Sequence, residues 1–252
     1  MTAAAPAWRS TRAMTAMELR LALRRSETLV ATVVLPVVVL AFFGSIVTIP
    51  FGTGSPVDFL LPGSIAFAVI ATSLVSLGIT TAYDRHYGVL KRLGGSPLSR
   101  SELIVAKIAA VLVVEAMQVA LLVAVAAFGL GWQPPAAASI GLVIVAVLVG
   151  TLAFAGLGLL LAGILPAETM LAVANVLFVL SLVMGGIVVP IDHLPAPLAT
   201  IAGALPAAAL SDALRVALGA SPASPDAAGP LAILAIWGIG SVLIASRTFR
   251  WE

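Results

Sequence analysis

An all-α integral membrane protein with six spanning helices is the fold class this sequence predicts, on three observations. Hydrophobic residues make up 61% of the 252-residue chain and charged residues only 10%, against roughly 25% charged in an average soluble domain. Too few polar side chains remain to cover that apolar surface in water, whereas a bilayer acts as an apolar solvent for it. The apolar residues also fall into six runs of about 20 or more, the length a helix needs to span at 1.5 Å per residue. Finally, the basic residues gather in three places that alternate with those runs.

The chain begins with a helix-prone lead, 8–25. A helical wheel puts Arg9, Arg12, Arg20 and Arg24 on one side and Met14, Met17 and Leu21 on a neighbouring one. That pattern predicts an interfacial helix on the inner leaflet with its arginines toward phosphates. The first span is expected at 29–49, with Pro36 inside it, and the second at 59–82, with Pro62 near its start. Residues 83–100 form the only sizeable polar stretch between spans. They predict a short cytoplasmic helix ending at Gly94-Gly95, with Ser99 or Ser101 capping the helix that follows. The third and fourth spans, 103–130 and 137–165, exceed the hydrocarbon thickness and should tilt or protrude. The fifth span is expected at 170–189 and the sixth at 227–246. Residues 191–218 are apolar enough to enter the membrane but are broken by Pro195, Pro197 and Pro206. They predict an extracellular re-entrant helical hairpin, which satisfies its backbone only if packed against protein; a plain extracellular loop is the competing reading.

Orientation follows from charge. Arg9, Arg12, Arg20, Arg24 and Arg25 precede the first span. Arg85, Lys91, Arg92, Arg100 and Lys107 lie after the second or at the start of the third, and Arg247 and Arg250 end the chain. These groups hold five, five and two of the thirteen basic residues, leaving only Arg215 on the other side. Both termini are therefore expected in the cytoplasm, as in a multi-pass protein of the cell membrane.

Composition and motif also exclude functions. There is no cysteine, so disulfides and thiolate metal sites are out. A Walker A loop needs a Lys before Ser or Thr, and the only lysines, Lys91 and Lys107, precede Arg92 and Ile108. His86 and His193 fall in loops on opposite sides and cannot share a site. No enzymatic constellation, metal site, cofactor site of the chain's own or nucleic-acid partner is expected.

Polar residues inside spans are costly and mark candidate sites. Glu115 lies about 18 Å along the third span from Leu103, near mid-membrane. Gln118 is three residues on, facing the same side, and Asn175 lies in the fifth span. Together they form a candidate substrate pathway, with an interhelical hydrogen bond from a protonated Glu115 as the structural alternative. Lys107 is expected to snorkel to the cytoplasmic interface. Gly150, Gly156, Gly158 and Gly163 predict close helix packing along the fourth span.

Two stretches carry a family resemblance. The first is Tyr83-Asp84-Arg85-His86-Tyr87-Gly88-Val89-Leu90-Lys91-Arg92-Leu93 followed by Ser96-Pro97. The second begins at Asn175 and continues through Gly185-Gly186, Pro190, Leu194-Pro195 and Pro206 to Asp212-Ala213-Leu214-Arg215. With the amphipathic lead and six spans in the same order, the chain resembles the ABC-2-type permeases, and among them the daunorubicin-resistance type of drug-export permease. Asp84 stands where that family often has Glu.

The resemblance implies an ATP-binding-cassette exporter permease whose cytoplasmic loop is a coupling helix, docked on an ATPase that uses ATP and Mg in a separate chain. Asp84, Arg85, Lys91 and Arg92 would form interface ion pairs, and Tyr87, Leu90 and Leu93 apolar anchors. Gly88 would permit close approach, with Pro97 closing the motif. Gly185, Gly186, Pro190, Pro195, Pro206, Asp212 and Arg215 would build the extracellular gate. Expected partners are ABC ATPase subunits, a second identical or related permease, and membrane lipid. The expected activity is efflux of a hydrophobic or amphipathic cargo, as in multidrug export and antibiotic resistance. A proton-driven secondary exporter using Glu115, and a permease for lipid-linked polysaccharide, are the alternatives.

Overall fold

A computed structural model describes residues 7–24, 30–46, 55–95, 99–188, 190–220 and 226–248. Arg25, both ends of the first predicted span, Pro97, Val189 and Arg250 lie outside them. All regular structure among the described residues is helical. Helix α1 is Ala7–Arg24. Helix α2 is Leu35–Ile46, entered through a π-turn at Val30–Val34. Helix α3 is the long Pro56–His86, with a π-turn at Ala71–Ser76. The short α4 is Val89–Gly94. Helix α5 is Arg100–Ala124, ending in a π-turn at Val125–Gly129. Then come α6 (Ile140–Ile164), α7 (Ala167–Met184), α8 (Ala196–Gly203), α9 (Pro206–Ala217) and α10 (Ala228–Thr248).

Local chemistry sets several boundaries. Ser55 caps α3 in a capping box with Asp58, and Pro56 occupies the first turn, where its missing N–H costs nothing. Ser99, not Ser101, caps α5, in a second capping box with Glu102. Ser139 caps α6. Pro166, Pro190 and Pro195 stand just ahead of a helix or turn, in extended conformations that end the preceding segment.

Among the described residues five helices are long and apolar enough to cross a membrane: α3, α5, α6, α7 and α10. Helix α3 is central. In its most apolar stretch 89% of residues are buried, against 17% for α7 and 22% for α10. A helix apolar all round must be surrounded, and α3 is enclosed by α2, α5, α6, α7 and α9. The others keep one face outward, as helices do where lipid is the solvent.

Cross-helix contacts fix the directions. Gly158 of α6 lies against the Ser73 and Leu74 carbonyls of α3 while Leu165, just past α6, meets Arg85, and Ala153 and Gly156 of α6 lie against Gly238 and Ser241 of α10, so α3, α6 and α10 run the same way. Phe67 of α3 stacks on Phe178 of α7, while Gly78 meets Met170, so α7 runs the other way. Helix α5 also opposes α3, since Gln118 bonds Thr72 while Lys107 bonds Asp84. Helix α2 climbs with α5, from Thr32 beside Gln118 to Gly44 beside Leu130. The first predicted span thus appears among the described residues as a shorter apolar helix, Thr32–Ser45.

The segment predicted as a hairpin is two short helices, α8 and α9, bent by 77°. Leu210 of α9 packs on Gly150 of α6, while the Ser139 N–H at the head of α6 donates to the Ala217 carbonyl at 2.8 Å. Helix α9 therefore starts inside the bundle, deep along α6, and climbs out toward its end.

Candidate functional site

One end of the bundle collects α1, α4 and the start of α5, and with them most of the described basic residues; we call it the basic end. Helix α3 stops at His86. Tyr87 and Gly88 form a turn in which Gly88 holds a left-handed φ of 68°, a conformation that glycine alone adopts without cost. The chain thereby reverses into α4. Leu90 points inward and is fully buried against Met14, Leu103 and Ala106, with Leu93 packed at the edge. The resemblance made Leu90 an apolar anchor for the ATPase. It is instead the root of α4, because the reversal at Gly88 turns that side of the short helix onto α1 and α5. Tyr87 (68% exposed), Val89, Lys91 and Arg92 form the outward surface.

Asp84 and Arg85 turn inward as well. The Arg85 guanidinium donates to the Leu165 carbonyl, holding the base of α3 against the α6–α7 connection. Asp84 accepts from Lys107 at 2.9 Å, and Lys107 also meets Glu18 of α1 at 2.8 Å. Lys107 was expected to snorkel outward. It is 2% exposed, held inside by the two carboxylates that compensate its charge. Sequence reasoning missed Glu18; the available signal was that it is the sole acid among the first 26 residues, in a helix otherwise carrying arginines.

Helix α1 is tied along α5 residue by residue. Ser10 donates to Glu102 at 3.3 Å, Met14 packs on Leu103 and Ala106, and Glu18 reaches Lys107. Arg9, Arg12, Arg20 and Arg24 stay exposed, as do Trp8, Met17 and Leu21. A cavity of about 60 Å³ lies between α1, α3 and α5, with Glu18, Asp84, Lys107, Ser76 and Thr80 in its wall.

The intramembrane polar residues fall into three separate places. Gln118 is buried; its amide donates to the Thr32 carbonyl at 2.8 Å and to Thr72 Oγ at 3.0 Å, joining α2, α3 and α5. Glu115 is fully buried on a different side of α5, against Thr151 of α6. The Thr151 hydroxyl also donates to the Val147 carbonyl at 2.7 Å. The single Thr151 hydroxyl hydrogen is thus placed between the Glu115 carboxyl and the Val147 carbonyl. Among the described residues the Glu115 Oε1 has no hydrogen-bond partner. Asn175 is exposed on α7, its amide donating to the Leu171 carbonyl at 2.9 Å. Glu115, Gln118 and Asn175 therefore do not line one path within a single chain.

At the opposite end the structure joins several predicted gate residues. Arg215 is buried in α9. It donates to the Gly186 carbonyl, pairs with Asp212 at 3.0 Å and lies over the Phe59 ring at 4.2 Å. Gly186 takes a left-handed φ of 63°. A side chain on Gly63 of α3 would meet the Ile187 carbonyl oxygen at 2.3 Å, so α3 and this turn touch backbone to backbone. Gly185 and Pro206 are buried at the same junction, where a Cβ on Gly185 would meet Ala207. Pro190 is half-buried and Pro195 exposed. Nearby Asp58 accepts from the Trp132 indole at 2.9 Å, closing the α3 cap onto the α5–α6 loop.

The described residues contain no cluster of acids and histidines able to hold a metal ion. What they offer is a rigid bundle with a short helix projecting from one end and a guanidinium-stapled junction at the other. Among curated proteins none matches the chain. The model of the ABC-2 type transporter family matches residues 9–218, which takes in α1, the α3–α4 reversal and the Arg215 junction. Because that match covers more than four-fifths of the sequence, the chain belongs to the ABC-2 type transporter family.

Proposed function

We propose that this chain is the membrane-spanning permease of an ATP-driven exporter with six spans and both termini in the cytoplasm, moving a hydrophobic or amphipathic cargo outward. Family membership supports the class and a partner ATPase. The single observation that carries the coupling role is the α3–Gly88–α4 reversal. It presents Tyr87, Val89, Lys91 and Arg92 outward while Leu90, Asp84 and Arg85 root the same segment in α1, α5 and the α6–α7 connection. A surface so mounted transmits a push from an ATPase to three elements at once. Asp84 and Arg85 then brace the coupling helix, and the exposed residues make the contact, with charged ones setting register and Tyr87 supplying the apolar anchor.

The alternating directions of α2, α3, α5, α6, α7 and α10 support an even number of spans, with α8–α9 as the re-entrant hairpin and the Arg215 junction as the outer gate. Two copies, identical or related, would enclose the cargo path between them, with the exposed Asn175 on the face of α7 available to it. The drug-efflux, antibiotic-resistance and polysaccharide readings differ only in cargo. The proton-driven alternative asks Glu115 to be reached from both sides in turn. Its burial between α5 and α6, away from the cavity beside Lys107, favours ATP as the energy source.

The test is co-purification with a co-expressed ABC ATPase. Tyr87→Ala together with Lys91→Glu and Arg92→Glu should leave the chain folded in the membrane and reduce ATPase recovery at least tenfold. Undiminished recovery would refute the coupling role.

A further inference from the structure

The cavity beside Lys107 has a chemistry that the roles above leave unused. Three charged residues line it, Glu18, Asp84 and Lys107, and their sum is one negative charge. Each carboxylate spends one oxygen on the lysine, at 2.8 and 2.9 Å, and neither second oxygen has a hydrogen bond among the described residues. Lys107 has three N–H donors and uses two. Among the described residues the cluster therefore offers two carboxylate oxygens and one N–H at the edge of an apolar interior, with one negative charge in excess. An unpaired charge in such a place is costly, and a cation that joins it is favoured. Above the cluster stand the hydroxyl-bearing Ser76 and Thr80, and the side walls are apolar, Leu21, Leu77 and Val111 among them.

We propose that this cavity binds the protonated amine of an amphipathic molecule, with the ammonium between Glu18 and Asp84 and the apolar body along Leu21, Leu77 and Val111. Its volume of about 60 Å³ suits the head group and the first carbons of the body, against Leu21, Leu77 and Val111, and the rest of the molecule extends beyond the cavity. An anionic head would face two carboxylates. A neutral one would leave the negative charge uncompensated. The site sits at the basic end, so its occupant enters from that side. Binding is a property of this chain alone and needs no ATPase, so its failure would leave the exporter reading standing, and the reverse.

The experiment uses the purified full chain in phosphatidylcholine nanodiscs and a decylamine probe carrying a diazirine beside the amine, with labelled peptides identified by mass spectrometry. Labelling should be saturable, should fall within α1, α3 and α5 around Glu18, Asp84 and Lys107, and should be competed by decylamine but not by decanol. Glu18→Gln brings the cavity to zero charge, and Ser76→Leu fills it without touching the charges. Each should cut labelling at least tenfold, and Ser76→Leu keeps the test valid if Glu18→Gln fails to fold. Equal competition by decanol, labelling concentrated elsewhere, or parental labelling of a folded variant of either kind would overturn the site. Replacing part of the phosphatidylcholine with phosphatidylethanolamine identifies the source. Suppressed labelling supports the site with a lipid amine as its occupant; undiminished labelling supports it with a free amphipathic amine.

Discussion

Lys107→Met removes the ammonium from between Glu18 and Asp84 while roughly keeping side-chain length. The two carboxylates then face each other without a counter-charge, 18% and 22% exposed. Removing one member of a fully buried ion pair costs about 3–5 kcal/mol, most of it from the charge left behind. Here about a fifth of each carboxylate reaches solvent, so the expected loss is about 2–3 kcal/mol. On the scaling for chains of this length, that lowers Tm by roughly 4–12 °C. The decisive comparison is the triple variant Lys107→Met, Glu18→Gln, Asp84→Asn. It removes the stranded charges and should recover at least half of the loss, because a neutral polar set costs less to bury than two unpaired anions. The assay is thermal melting of the solubilised chain followed by fluorescence-detected size exclusion. Limited proteolysis of α1 serves as a second readout, since Glu18 is one of its ties to α5. A single variant that melts with the parent, or a triple variant no more stable than the single, would refute the account of Lys107 as a charge-compensated joint.

Other perturbations test the remaining junctions. Gly63→Ala places a Cβ within 2.3 Å of the Ile187 carbonyl, backbone against backbone; it should cost about 1–3 kcal/mol and show as lost monodisperse protein on size exclusion. Arg215→Met removes the bonds to Gly186 and Asp212 and the cation over Phe59. It should lower stability by about 2 kcal/mol, and Arg215→Lys, lacking the fork, should restore only part of the melting temperature. Glu115→Gln keeps a hydrogen-bonding group against Thr151; it should melt within about 0.5 kcal/mol of the parent and retain ATP-dependent vesicle transport. Abolished transport in a folded Glu115→Gln protein would instead favour proton carriage.

Helix starts follow from adjacent residues where the cause is local. Ser55, Ser99 and Ser139 begin helices because a hydroxyl satisfies a backbone N–H a few residues away, and such signals are written into adjacent positions. The Gly94-Gly95 stop after α4 is of the same kind. The inward turn of Leu90 was not legible, because nothing in the residues 83–93 says which side of a six-residue helix meets α1, and that of Asp84 and Arg85 depends on the distant Lys107 and Leu165. Lys107 shows the limit most clearly. A lone lysine near the end of an apolar run has two good solutions, reaching out to water or meeting carboxylates inside. The choice depends on Glu18, 89 positions away, and Asp84, 23 away.

The sequence by itself determined the solvent this protein is built for and its all-helical class. Apolar run length and the scarcity of charge are sums over residues that no packing arrangement can change. It also gathered most of the basic residues into a few segments, and among the described residues α1, α4 and the start of α5 bring theirs to one end of the bundle. Only the tertiary structure decided which charges are spent holding the molecule together and which remain for a partner. An ion pair or a backbone contact such as Gly63 on Ile187 exists only when distant segments arrive at the same point, with the orientation that a few ångströms of packing allows.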